Sequence, residues 1–192
     1  MATEHDSVEL VGDELVGNVA RAALFAALMG ASAYVSFPNP LSPIPVTMQV
    51  LVVFLAGIFL GPVWGGASMV LYLVAGSLGA PVFAGGSAGF GALVGPTGGY
   101  LLAYPVAAVV TGAVVHNGVT LGDYRVSTVR LVGAMVAGTA VIYALGTIGF
   151  ALVQGIGLGA AFWVASAAFI PAEAFKIAAA VGIVRSDAIA AN

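Results

Sequence analysis

Residues 46–78 read VTMQVLVVFLAGIFLGPVWGGASMVLYLVAGSL, with no charged side chain in the run. Gly61-Pro62 divides it. Glycine adopts turn conformations at little steric cost, and proline lacks the N–H that a continuing helix needs. The stretch therefore predicts two apolar helices, Val46–Leu60 and Val63–Leu78, joined by a tight turn.

Working outward, the charge-free region extends from Ala22 to Gly122. A water-soluble domain exposes loops in such a span, and exposed loops are polar. Here even the connectors are Gly, Pro, Ser and Ala. Across all 192 residues, 61% are hydrophobic and 7% charged, whereas soluble domains carry roughly 25% charged residues. Apolar runs of about 18 residues or more mark membrane spans. Further spans are expected at Val19–Ser36, Gly99–Val115, Thr128–Val153 and Phe162–Val184, giving an all-α integral membrane protein of six helices. The expected organisation is an acidic tail at 1–17, a membrane domain at 18–185 and a short tail at 186–192. The first residues lack the basic start of a secretory signal.

Charge placement orients the spans. Cytoplasmic loops are enriched in Lys and Arg. Six spans with both termini cytoplasmic put Arg21, Arg125, Arg130 and Arg185 inside, and the outer connectors then hold no Lys or Arg. An odd number of spans would place Arg185 outside. The net charge of −3 resides in the acidic leader and carries no message about nucleic acid.

Several chemistries lose support at this level. The chain has no cysteine, which excludes disulfides, thiolate metal sites and Cys nucleophiles. No cluster of His and carboxylates suggests a metal site. No G-x-x-x-x-G-K-[ST] motif for ATP occurs. Gly85-Gly-Ser87-Ala-Gly89 fits a nucleophile-elbow pattern. Its Ser87 would lie outside, whereas His5 and His116 would lie inside, so a serine nucleophile would lack its histidine base. No enzymatic role is expected. His116, with Asn117, reads as the interfacial end of the fourth span.

Three features point to a ligand. The last span contains Pro171-Ala-Glu173-Ala-Phe-Lys176. A charge at the centre of a membrane helix costs about 2.5–3.5 kcal/mol on insertion scales. Residues three apart share a face, so Glu173 and Lys176 can neutralise one another while facing the interior. An internal salt bridge serving only folding is the competing reading. Pro171 either kinks this helix or starts its membrane-crossing part, with Phe162–Ile170 then a separate short helix. Second, Pro45-Val-Thr47-Met-Gln49 brings an amide to the outer boundary. Third, the outer connector Ala80–Gly98 is too rich in glycine for a helix and too apolar to hang in water. Irregular backbone at membrane depth is tolerated where it lines a cavity. Finally, Ala22/Ala26 and Ala23/Ala27 give the first helix a smooth face, suited to internal packing or to docking another membrane subunit.

Pro-Val-Thr-Met-Gln, Gly-Ala-Pro-Val-Phe-Ala-Gly-Gly, Gly95-Pro-Thr-Gly-Gly-Tyr100 and Pro171-x-Glu-x-x-Lys, in that order, resemble the BioY family of biotin-binding S components of energy-coupling factor (ECF) transporters. The resemblance runs from about Arg21 to Lys176. It implies a six-helix S-component fold in the cytoplasmic membrane, with biotin as transported substrate and no cofactor. It also implies partners: a membrane-embedded coupling (T) subunit and two ABC-type ATPase subunits. By the same resemblance, Ala22, Ala23, Ala26 and Ala27 match the docking positions of the first helix. Lys176 matches the family's lysine, Glu173 a position usually held by Asp, and Phe83–Ser87 the segment that closes over biotin. Gln49, Phe83, Ser87, Tyr100, Glu173 and Lys176 are the expected substrate contacts, with Phe83 and Tyr100 packing the rings.

Overall fold

The computed structural model describes residues 12–122 and 126–186. His5, Arg125 and most of both tails lie outside the described residues. The architecture is helical: α1 (Asp13–Ser32), α2 (Gln49–Ser77), α3 (Gly98–His116), α4 (Thr128–Gln154), α5 (Leu158–Ala165) and α6 (Ile170–Arg185). A two-residue antiparallel ribbon pairs Ser36–Phe37 with Val46–Thr47 between α1 and α2. Five helical stretches are long and apolar enough to cross a membrane, α5 and α6 together counting as one of them.

α2 is not straight. Gly61 has φ +74° and ψ 179°, a region open essentially to glycine alone. Its two limbs fold back on each other. A Cβ on Gly65 would lie 2.8 Å from the Ala56 carbonyl oxygen, and the Gln49 amide bonds the Tyr72 hydroxyl at 2.6 Å. In a straight helix, 23 residues would span about 35 Å at the usual 1.5 Å rise. The element is thus a helical hairpin, as the Gly61-Pro62 reading expected.

The other boundaries shift modestly. α1 begins at Asp13 and ends at Ser32, earlier than the expected Val19–Ser36. Asp13 and Glu14 therefore occupy a first helical turn rather than a tail, where carboxylates complement the helix dipole. The expected span Phe162–Val184 divides into α5, a 3-10 turn at Ala167–Phe169, and α6. Pro171 stands in the first turn of α6, where its missing N–H has no intrahelical partner to lose.

Lipid tails are as apolar as leucine, so helices in a membrane associate through close packing more than through the hydrophobic effect. The glycines show where. Gly57 meets the backbone of Ala108 and Gly112, joining α2 to α3. Gly99 meets Gly146 and Gly149, joining α3 to α4. Phe54, Ile58, Met69, Tyr72, Leu131, Met135 and Ile142 fill the interior between them. Large apolar side chains such as Leu24, Val70, Leu102, Val129 and Leu152 remain outward, forming a surface that suits hydrocarbon.

One end of the bundle is tied by polar contacts. Pro62 cannot donate to the Ile58 carbonyl, and the His116 ring meets that carbonyl through Nε2 at 2.9 Å. Arg130 donates to the Val114 carbonyl at 2.8 Å, and Arg185 to that of Val126. The Gly61 turn, the end of α3, the start of α4 and the end of α6 thus share this end. The ribbon, the 81–93 segment and the start of α6 occupy the other.

Candidate functional site

The start of α6 brings charge into the interior. Glu173 and Lys176 are 4% and 3% exposed, and Lys176 Nζ donates to Glu173 Oε1 at 2.7 Å. The pair follows from the sequence: three residues apart on a helix, both side chains take one face. That face opens on a cavity with about 580 Å³ of empty space, its mouth included. Most of its wall is apolar, from Ile44, Val50, Leu101, Ile142 and Phe169.

The polar part of the wall comes from every side. The ribbon and the start of α2 supply Thr47 and Gln49, 8% and 1% exposed. The Thr47 hydroxyl donates to Gln49 Oε1 at 3.2 Å, and Gln49 Nε2 donates to the Tyr72 hydroxyl. α3 supplies Tyr100 and Tyr104, four residues apart and hence on one face. Tyr100 approaches α4 at Gly146, where a Cβ would collide with its ring. Its hydroxyl donates to the Ala165 carbonyl. Ser166 and Thr147 exchange a hydrogen bond at 2.7 Å beside it, fixing the link that leads into α6. α4 contributes Tyr143.

Among the described residues, two buried polar atoms in this wall have no partner: Glu173 Oε2 and the Tyr143 hydroxyl. Leaving such a group unpaired costs about 1–3 kcal/mol, more when it is charged. An acceptor and a hydroxyl left open in an apolar cavity suit a small ligand that carries matching polar groups.

Of the six expected contacts, the structure brings Gln49, Tyr100, Glu173 and Lys176 into one cavity. Phe83 is 1% exposed but packs edge-on against Tyr72 at 5.4 Å, behind the wall. Ser87 is exposed, and its hydroxyl donates to the Ala84 carbonyl at 2.9 Å. From the 80–98 connector, Ala84 and Thr97 line the cavity. Ser87 sits at the opposite end of the bundle from His116, so these two do not form a nucleophile and base. Among the polar wall residues, the expected contacts missed Thr47, Thr97, Tyr104 and Tyr143. The four-residue spacing from Tyr100 was a usable signal for Tyr104. For Tyr143 there was only its isolation in an apolar helix.

The four alanines of α1 divide. Ala22 is buried and Ala26 packs against the core, while Ala23 and Ala27 face outward with Leu24 and Leu28.

Comparison with known proteins places this architecture. The BioY family matches residues 3–191. A probable biotin transporter BioY of Pyrococcus horikoshii is 38% identical over 163 residues, covering 85% of this chain and 91% of the relative. The biotin transporter BioY of Rhodobacter capsulatus is 40% identical over 169 residues, covering 83% and 87%. The crystal structure of the S-component for biotin from an ECF-type ABC transporter superposes with a TM-score of 0.78 at 22% identity, over 92% of this chain and 93% of that one.

Proposed function

The chain belongs to the BioY family of integral membrane proteins, and from that premise we propose that it captures biotin and passes it across the cytoplasmic membrane as the S component of an ECF transporter. The observation that carries this reading is the buried Glu173–Lys176 pair in the wall of a largely apolar cavity, with the Gln49 amide also in that wall.

Biotin is apolar along its chain and sulfur ring, and polar at a ureido group and a carboxylate. Lys176 supplies a cation for the carboxylate or a carbonyl. The open oxygen of Glu173 supplies an acceptor for a ureido N–H. Glu173 is one methylene longer than the Asp that the resemblance implies at this position, and its side chain lines the cavity. Tyr100 offers a flat surface for the rings.

Counting the α2 hairpin as two crossings and α6 as the last gives six. Arg130 and Arg185 lie together at the Gly61 end, and α1 runs from that end toward the ribbon. Basic residues favour the cytoplasmic side, so this end and both termini are assigned inside and the cavity mouth outside. Ala23 and Ala27, exposed on α1 together with Ala20 and Ala31, are small residues free to meet a membrane-embedded coupling subunit, with two ATPase subunits supplying energy.

Biotin titration of the purified protein tests the function. Submicromolar binding that is lost in Lys176→Ala supports it. Folded protein that leaves biotin unbound rules it out.

A further inference from the structure

The 83–89 segment is short, rich in glycine and exposed or half-buried at every other position, yet Phe83 within it is 1% exposed. The ring meets Tyr72 edge to face, at 5.4 Å and 78°, and fills the space beside Gly76, where a Cβ would overlap it. Gly76 has ordinary helical geometry, so what requires glycine there is the ring and not the backbone. A second tether joins the same point: the Gly89 N–H donates to the Gly76 carbonyl at 2.7 Å. Between the tethers the segment closes on itself, with Phe83 N–H donating to the Ser87 carbonyl at 3.1 Å and Gly86 N–H to that of Phe83 at 3.0 Å. The residue next to the anchor, Ala84, lies in the cavity wall. On the other side, Tyr72 takes the hydrogen bond of Gln49, which lines the cavity. Packed contacts therefore run without interruption from Thr47 and Gln49, through Tyr72 and Phe83, to Ala84.

We propose that Phe83 and Tyr72 are positioning residues, seated in a socket opened by Gly76, that hold the 83–89 segment across the cavity mouth and so govern how fast a bound ligand leaves. Phe83 acts through Ala84 and does not touch the ligand. Tyr72 links the seat to Gln49, so a ligand that orders Gln49 also firms the seat. The proposal rests on the reading that this cavity holds biotin.

The test is biotin association and dissociation kinetics on the purified full chain, with Gly76→Ala, Phe83→Ala and the double variant. A methyl group in the socket expels the ring. Gly76→Ala should raise the dissociation rate about tenfold and leave association within about twofold, since changes at one site act mainly on dissociation. In the Phe83→Ala background the socket is empty, so Gly76→Ala should add nothing. Multiplying effects, or unchanged dissociation in Gly76→Ala, overturn the proposal. Hydrogen exchange without ligand gives a second reading: the amides of residues 84–89 should exchange faster in Gly76→Ala than in the unaltered protein, and equal rates also overturn it. If Gly76→Ala does not fold, Phe83→Leu carries the same measurements. Failure of the unaltered protein to bind biotin would reject the substrate alone, because the exchange comparison needs no ligand.

Discussion

Lys176 and Glu173 meet at 2.7 Å, one turn apart on α6, with both side chains withdrawn from the surface and the second Glu173 oxygen left open. A pair assembled only for stability would be a poor choice. Apolar replacements of similar size often hold a fold as well, while removing one partner costs about 3–5 kcal/mol.

This separates two kinds of variant. Lys176→Ala leaves a buried carboxylate uncompensated and should lower both thermal stability and biotin affinity. Lys176→Met combined with Glu173→Gln should recover most of the melting temperature in detergent while binding stays lost by about 100-fold or more, near the 2–5 kcal/mol cost of truncating a buried charged contact. Recovery of binding along with stability would remove the pair from the site.

Tyr143 offers a cleaner removal. Its hydroxyl is buried and, among the described residues, unpartnered, so Tyr143→Phe should leave the melting temperature unchanged or slightly raised. If the hydroxyl meets the ligand, affinity falls about tenfold, the usual size of one hydrogen bond of roughly 1–1.5 kcal/mol. Isothermal titration reads the affinity. Equal affinity would take Tyr143 out of the contacts and leave the ligand's polar groups to the rest of the wall.

The outward alanines address assembly. Ala23→Leu with Ala27→Leu should leave biotin titration within about twofold and sharply reduce copurification with tagged coupling and ATPase subunits, because close helix contact depends on small residues. Ala22→Leu should instead destabilise the chain itself, since Ala22 is buried. Unchanged copurification in the double variant would move the docking surface elsewhere.

The far end of the bundle should be structural. Gly61→Ala forces a side chain into a glycine-only region and should cost about 1–3 kcal/mol in stability. His116→Leu should cost about 1–3 kcal/mol by leaving the Ile58 carbonyl unpaired. Thermal unfolding reads both. Biotin affinity of whatever remains folded should match the unaltered protein, and a selective loss of affinity would connect this end to the cavity.

The sequence carried much of this. Absence of charge from Ala22 to Gly122 was enough for the membrane. Gly61-Pro62 announced the hairpin because those residues have few other uses within an apolar run. Glu173 and Lys176 stood out because charge is costly in the membrane interior. The ordered motifs pointed to the BioY family, and the comparisons agree.

Tertiary packing decided which candidates meet. Gln49, Tyr100, Glu173 and Lys176 share the cavity, while Phe83 turns behind it and Ser87 faces outward. It also divided the α1 alanines and brought in Tyr104 and Tyr143. The reason is physical. In a soluble protein, polar residues mark the outer face of each helix, so the inner face can be read from periodicity. In a membrane both faces are apolar, and sequence alone gives which residues share a face without giving what that face meets. Here that was settled by the glycine contacts, Gly57 on Gly112, Gly99 on Gly149 and Gly76 under Phe83, which set how each helix is turned toward its neighbours.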